Sequence, residues 1–268
     1  MLILWHKMTM DEQINRENVL HGEPWNQAHE GYFSDPAVAA PLVQKIRDLA
    51  SQSELDTIID LGGGNGALLA QLRMSGVASG ATLLDLDASP AQLAVARAAG
   101  LACLLGSVES FSRHKMPCEN GRTLFLMRSV LHYFGQEGLR RVLRHIRAQL
   151  KPGEFFVHQT ASFQRQQDAD CLNTLYRLMR TPKWYPTVDA LCGCLREEGW
   201  RVQEVCPAPP LRLRSADLMS RYTLDETDLR RILEDRSLTT AVPDDVFQKT
   251  NRAFCAFLHY SIYVCTPD

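Results

Sequence analysis

An acid and four closely spaced glycines dominate the chemistry written in this chain: Thr57-Ile58-Ile59-Asp60-Leu61-Gly62-Gly63-Gly64-Asn65-Gly66. A β-branched run ends in Asp60, a D-x-G-x-G-x-G turn follows, and Ala67 to Leu72 reads as the start of a helix. Strand, tight turn and helix N-terminus in that order make a cradle for something polar. Glycine permits positive φ and lets a ligand approach the main chain closely. The helix start adds free N–H groups and a positive dipole end. The bland alternative is a plain βα connection, though such short loops rarely hold so many glycines. Asp60 puts a carboxylate where the dinucleotide form G-x-G-x-x-G would seat a pyrophosphate, which suits a cationic or amino-bearing ligand better.

A second set of acids follows. Ala81 to Asp87 reads as another buried strand, and Pro90 suits the first turn of a helix over Ala91 to Ala99. An acid at the end of the second strand, about 20 residues beyond the glycine turn, is where nucleotide-binding α/β sheets hold ribose hydroxyls. Asp85 and Asp87 both qualify, because a spacing of two puts them on one side of the strand. For proton transfer the first candidate is His132, just past the fourth strand, since a histidine can act as a base near neutral pH. A packed, hydrogen-bonded histidine is the alternative. His158, near the end of the fifth strand, is a second candidate. Trp25, His29, Tyr32, Tyr133, Tyr176, Trp184 and Tyr185 are candidates to line an acceptor pocket, although each alone is more often core than site.

These groups need a sheet to position them. Strands three to five read as Leu101–Leu105, Thr123–Met127 and Phe155–Gln159, and their alternation with helical patterns predicts a parallel sheet. Strand six is predicted at about 201–206 and the last strand at about 254–264. Ser34-Asp35-Pro36 is a helix start, with the helix running to Ala50. Two insertions, at about 161–186 and 207–252, are mostly helical by pattern. One helix spans Asp225 to Leu233, with Thr223 or Asp225 near its cap. Insertions of this length beside the sheet's carboxyl edge are expected to shape a substrate pocket.

Composition narrows the partners. The chain has 268 residues, 29 Lys plus Arg against 31 Asp plus Glu, and a formal charge of −2. A domain that grips DNA or RNA by its phosphates is usually clearly basic. One basic face exists, at Arg140, Arg141, Arg144 and Arg147, but it lies opposite Leu139, Val142, Leu143, Ile146 and Leu150 at helical spacing, as the solvated face of a core helix does. No apolar run approaches the ~18 residues of a membrane span, and Met1 to Trp5 lacks the features of a signal peptide. The eight cysteines form no C-x-x-C pairs, so no metal site is expected, and reduced thiols in a cytoplasm are the default.

Taken in order, these segments resemble a class I S-adenosylmethionine-dependent methyltransferase. Asp60-x-Gly62-x-Gly64-x-Gly66 matches that family's first motif, and Asp87-Ala88-Ser89-Pro90 with Ala96-Arg97 is similar to its second-strand motif. Arg128-Ser129-Val130-Leu131-His132-Tyr133-Phe134 resembles the fourth-strand motif of small-molecule methyltransferases. Leu150-Lys151-Pro152-Gly153 resembles the L-K-P-G-G turn before strand five, with Glu154 replacing the second glycine. Pro186-Thr187 through Glu198-Gly199-Trp200 resembles the helix and turn that enter strand six. The resemblance runs from about residue 55 to 206.

It implies a Rossmann-like, doubly wound, seven-stranded α/β sheet with its last strand antiparallel. An N-terminal helical cap would span 1–52 and the cofactor domain 53–268. It implies S-adenosylmethionine as cofactor, with Gly62, Gly63, Gly64 and Gly66 at its amino-acid portion, Asp60 orienting its ammonium, Arg128 nearby, and Asp87 on the ribose. Ser107 or the Val108 backbone would meet the adenine, where the family often carries an acid. Plant-type O-methyltransferases carry their base histidine six residues beyond a similar segment. Gly138 stands there in this chain, so that mechanism is not expected. The implied activity is O- or N-methylation of a small aromatic or heteroaromatic metabolite, in the manner of secondary metabolism, with a homodimer left open. The rivals are an RNA or protein methyltransferase, disfavoured by charge and by the lack of an N-P-P-Y-type fourth motif, a non-methylating cyclisation or decarboxylation on the same fold, and a non-catalytic partner subunit.

Overall fold

The computed structural model describes residues 29–77, 79–116 and 121–268. The predicted contribution of Trp25, and most of the N-terminal helical cap, lie outside them. The first described helix, α1 (Pro36–Gln52), begins where Asp35 accepts the Ala37 N–H at 2.8 Å and Pro36 fixes φ. Ala39, Leu42, Val43, Ile46 and Leu49 recur at helical spacing and are buried against the sheet's core.

Five parallel strands carry the site: β1 (Thr57–Leu61), β2 (Thr82–Asp87), β3 (Ala102–Leu105), β4 (Thr123–Arg128) and β5 (Phe155–Ala161). Between them run α2 (Ala67–Met74), α3 (Pro90–Ala98) and α4 (Gly135–Ala148). Strand β1 is buried at all five residues, as a strand covered on both faces must be. After β5 come α5 (Gln166–Leu178), α6 (Val188–Glu197) and β6 (Trp200–Arg214), then α7 (Ser215–Tyr222), α8 (Glu226–Glu234), β7 (Phe247–Lys249) and β8 (Phe254–Pro267). The strand order is β3-β2-β1-β4-β5-β8-β6, with β7 pairing on β8. Strand β8 is antiparallel to β5 and β6, so the last strand reverses as expected. The chain leaves β1 in one direction for β2 and β3 and in the other for β4 and β5. The switch point therefore lies between β1 and β4, and a crevice opens beyond their carboxyl ends.

Two expectations change. The short β7 adds an eighth strand to the predicted seven. Strand β6 does not stop at residue 206 but continues to Arg214, through Pro207, Pro209 and Pro210. Proline cannot donate to a ladder, but among the described residues β6 is an edge strand that pairs only with β8. Its register shifts between Ala208 and Leu211, so the Pro209–Pro210 pair falls in the irregularity. The second insertion is consequently strand first and helix only from Ser215. Helix α8 carries a capping box in which Asp225 accepts the Asp228 N–H, which resolves its cap.

The two insertions pack on each other. Leu172, Leu175 and Tyr176 of α5 share one buried cluster with Leu218 and Tyr222 of α7, Ile232 of α8 and Phe247 of β7. That core sits over the end of the sheet where the crevice opens, so the insertions wall the crevice rather than hang from it. On α4, Arg141 pairs with Glu109, Arg140 with Glu197, Arg144 with Glu198 and Arg147 with the Gly199 carbonyl, so the basic face is spent on surface pairs. No helix among the described residues is long and apolar enough to cross a membrane.

Candidate active site

The glycine turn follows β1. Gly62, Gly64 and Gly66 take φ of +77°, +64° and +75°, a region other residues enter only with strain. Gly63 is glycine for another reason. A Cβ there would lie 2.6 Å from Asp85 Oδ1 and 2.9 Å from Asp60 Cγ, so two carboxyl groups already fill its side-chain space. Across the turn, Gly62 packs against Val130 at the end of β4.

The two acids of β2 separate cleanly. Asp87 Oδ2 accepts the Gly64 N–H at 3.0 Å and Oδ1 accepts the Ser89 N–H at 2.7 Å. Those bonds aim the carboxylate into the crevice, which it lines. Burial raises its pKa, and the N–H donors of Ser89 and Gly64 oppose that rise. Asp85 is fully buried beneath the turn and does not line the crevice. Asp60 lines it, and burial pushes its carboxyl up to about 7 against the pull of Arg128. The Arg128 guanidinium reaches the Phe33 carbonyl at 3.1 Å and lies beside the rings of Tyr32 and Phe33. Among the described residues, no acceptor meets its buried Nε or Nη2 in good geometry, and the Tyr32 side chain interacts with the guanidinium.

The crevice has a cavity volume of about 230 Å³. It is lined by the glycine turn, Asp60, Asp87, Ser107, Val108 and Arg128, and also by His29, Phe33, His132, Tyr133, Tyr176, Tyr185 and Tyr260 with Lys183 and Arg221. His132 lies in a short 3₁₀ turn, Leu131–Phe134, with its ring against Tyr133 at 4.2 Å and Tyr185 at 5.3 Å. It is 6 % exposed, and its carbonyl accepts the Trp184 N–H. Lys183 donates to the Tyr222 hydroxyl at 2.8 Å and stands 4.3 Å above the Tyr133 ring. Arg221 meets His29 at 2.7 Å and the Tyr133 hydroxyl at 3.4 Å. Ser129 takes φ +62°, rare for a side-chain-bearing residue, and its hydroxyl pairs with that of Tyr260 at 2.5 Å.

Three expected lining residues are elsewhere. His158 is wholly buried in the sheet, bonded to Thr160 at 2.7 Å and stacked on Phe156 and Tyr263, and burial drives its pKa down to about 3. A ring so held stays neutral and does not reach the crevice. Tyr32 sits behind the wall, donating to the Pro209 carbonyl at 2.5 Å and stacked on Tyr260. Trp184 points away and packs against the core that holds α4 and α6, while Lys183 and Tyr185 on either side of it face the crevice. Lys183, Arg221, Phe33, Ser129 and Tyr260 are additions. The signal for Lys183 was the alternation of an extended segment, in which one residue's face excludes the next.

The crevice fits S-adenosylmethionine. Asp60 and Asp87 line it with carboxyl groups, Arg128 lines it with a buried guanidinium suited to a carboxylate, and the positive-φ glycines leave no side chain between ligand and main chain.

Comparison with known proteins agrees. A family model described as "Methyltransferase domain" matches residues 34–205. No curated protein matches the chain. Among solved structures, the YcgJ protein of Bacillus subtilis superposes with a TM-score of 0.60 at 12% identity, covering 84% of this chain and 98% of that one. A SAM-dependent methyltransferase of Thermotoga maritima gives 0.53 at 13% identity, covering 96% and 99%. Magnesium protoporphyrin IX methyltransferase of Synechocystis, with bound SAH, gives 0.55 at 10% identity, covering 96% and 94%. With more than half its length inside that family model, the chain belongs to the methyltransferase-domain family and is a class I S-adenosylmethionine-dependent methyltransferase.

Proposed function

We propose that the enzyme methylates oxygen or nitrogen on a small aromatic or heteroaromatic metabolite in the cytoplasm. The observation that carries this is the aromatic lining of the crevice, to which Phe33, Tyr133, Tyr176, Tyr185 and Tyr260 contribute rings alongside Leu211, Leu213 and Leu258. Flat aromatic walls favour a flat acceptor through stacking and edge contacts. S-adenosylmethionine supplies the activated methyl group. The protein's task is then to align the acceptor and exclude water.

In this reading Asp87 holds the ribose, Asp60 the ammonium and Arg128 the carboxylate of the cofactor, with Ser107 and Val108 beside the adenine. Asp87→Ala should weaken cofactor binding about 10- to 100-fold, the ~1.5–3 kcal/mol scale of charge-assisted hydrogen bonds. Titration calorimetry measures it. Folded wild-type protein that gives no heat with S-adenosylmethionine or its demethylated product would sink the assignment. The acceptor class is tested by incubation with methyl-labelled cofactor and a panel of aromatic phenols and amines. Label appearing only in aliphatic or macromolecular products would overturn it.

A further inference from the structure

Beneath the glycine turn lies an acid that the reaction does not use. Asp85 and Asp60 are in register on the adjacent parallel strands β2 and β1. Both are buried, at 0% and 1% exposure, and both press on the one point where a Gly63 side chain would begin. Among the described residues, no donor reaches either Asp85 oxygen or Asp60 Oδ1. A buried carboxylate with no donor is costly, and two side by side cannot both stay ionised. The groups around them add little relief. Arg128 on β4 faces Asp60, Asp87 on β2 adds a third negative charge, and Cys103 on β3 lies in register with Asp85.

We propose that Asp60 and Asp85 hold one proton between them, carried by Asp85, so that Asp85 is a neutral acid that positions the Asp60 carboxylate under the glycine turn. Burial, with Asp60 and Asp87 adding, pushes the Asp85 carboxyl up to about 9, well above Asp60. The neutral acid fills the space that Gly63 vacates, and its proton points the Asp60 charge toward the crevice. The part that concerns cofactor binding rests on the assignment of Asp60 given above. The protonation of Asp85 does not.

Two measurements separate these parts. The folded protein binds the Asp85 proton more tightly than the unfolded chain does. Stability is therefore lost as pH rises from about 4 toward about 9. Asp85→Asn copies the neutral acid and has no proton to lose. The Tm of cofactor-free wild type should fall more steeply than that of D85N between about pH 5 and about pH 9. Parallel curves overturn the proposal. In calorimetry at neutral pH with S-adenosylmethionine, D85N should bind within about three-fold of wild type, whereas Asp85→Leu, which fills the space but makes no hydrogen bond, should bind at least about ten-fold more weakly. D85L binding as tightly as wild type, or D85N losing as much as D85L, overturns it. Absence of heat from wild type would instead sink the cofactor reading, and the melting curves would still decide the protonation.

Discussion

Glu154→Ala should lower the free energy of unfolding by about 3–5 kcal/mol, as breaking a buried ion pair does when one charge is left behind. Glu154 is 3% exposed and Arg113 is 5% exposed. The guanidinium grips both carboxylate oxygens, one of them through Nη2 at 2.7 Å. The same carboxylate accepts the Thr123 N–H at 2.9 Å and the Lys151 N–H at 2.6 Å, tying the start of β4 to the turn before β5. Removing it strips the buried guanidinium of its bidentate partner and orphans two main-chain donors. Against a total of about 5–15 kcal/mol, that loss is a large share of the fold. The double variant Arg113→Met with Glu154→Leu should cost less than E154A alone, since no buried charge remains. Urea denaturation measures both. An E154A loss under about 1 kcal/mol would mean that the pair is solvated and unimportant. The prediction also accounts for the departure at the L-K-P-G-G turn, where a second glycine would supply none of these bonds.

The cofactor-binding residues of the crevice were legible in the sequence because they are local. Strand, turn and helix are contiguous from Thr57 to Met74, and Asp87-Ala88-Ser89-Pro90 fixes its own register against that turn. Spacing alone leaves Asp85 and Asp87 on one face, and the Asp87-Ala88-Ser89-Pro90 register already favours Asp87; the structure puts Asp87 on the crevice and Asp85 beneath the turn. The aromatic lining was legible only as a set of residue types. Its rings come from segments far apart in sequence, and which ring faces in depends on packing. Trp184 and Tyr185 differ by one position and face opposite ways. His158 is expected near a strand end, but β5 runs on to Ala161, pairs with β4 on one side and β8 on the other, and is buried around it. The continuation of β6 through its prolines to Arg214 was not legible, because sequence does not say which strand is an edge. Arg221 had no signal beyond one turn of amphipathic helix.

His132→Ala should lower kcat by about 10²–10⁴ if the acceptor is a hydroxyl, the range that general-base catalysis contributes. The imidazole lines the same crevice as the glycine turn, with its ring against those of Tyr133 and Tyr185. Tyr133 and Tyr185 on its flanks limit rotation, which a base that must meet one acceptor atom requires. Placement alone does not make it a base, because a histidine stacked between two tyrosines also serves as packing. The pH dependence decides. A base gives a kcat profile with a rising limb in the range where imidazoles titrate, and that limb vanishes in H132A. His132→Gln keeps a polar side chain of similar reach but removes the base, so it should be as slow as H132A for a hydroxyl acceptor. For a neutral amine acceptor the nitrogen lone pair attacks directly, and H132Q should stay within a few-fold of wild type. A hydroxyl acceptor turned over by H132Q at nearly the wild-type rate, with the same pH profile, would reduce His132 to a wall of the pocket. Alignment in the crevice would then carry the reaction alone.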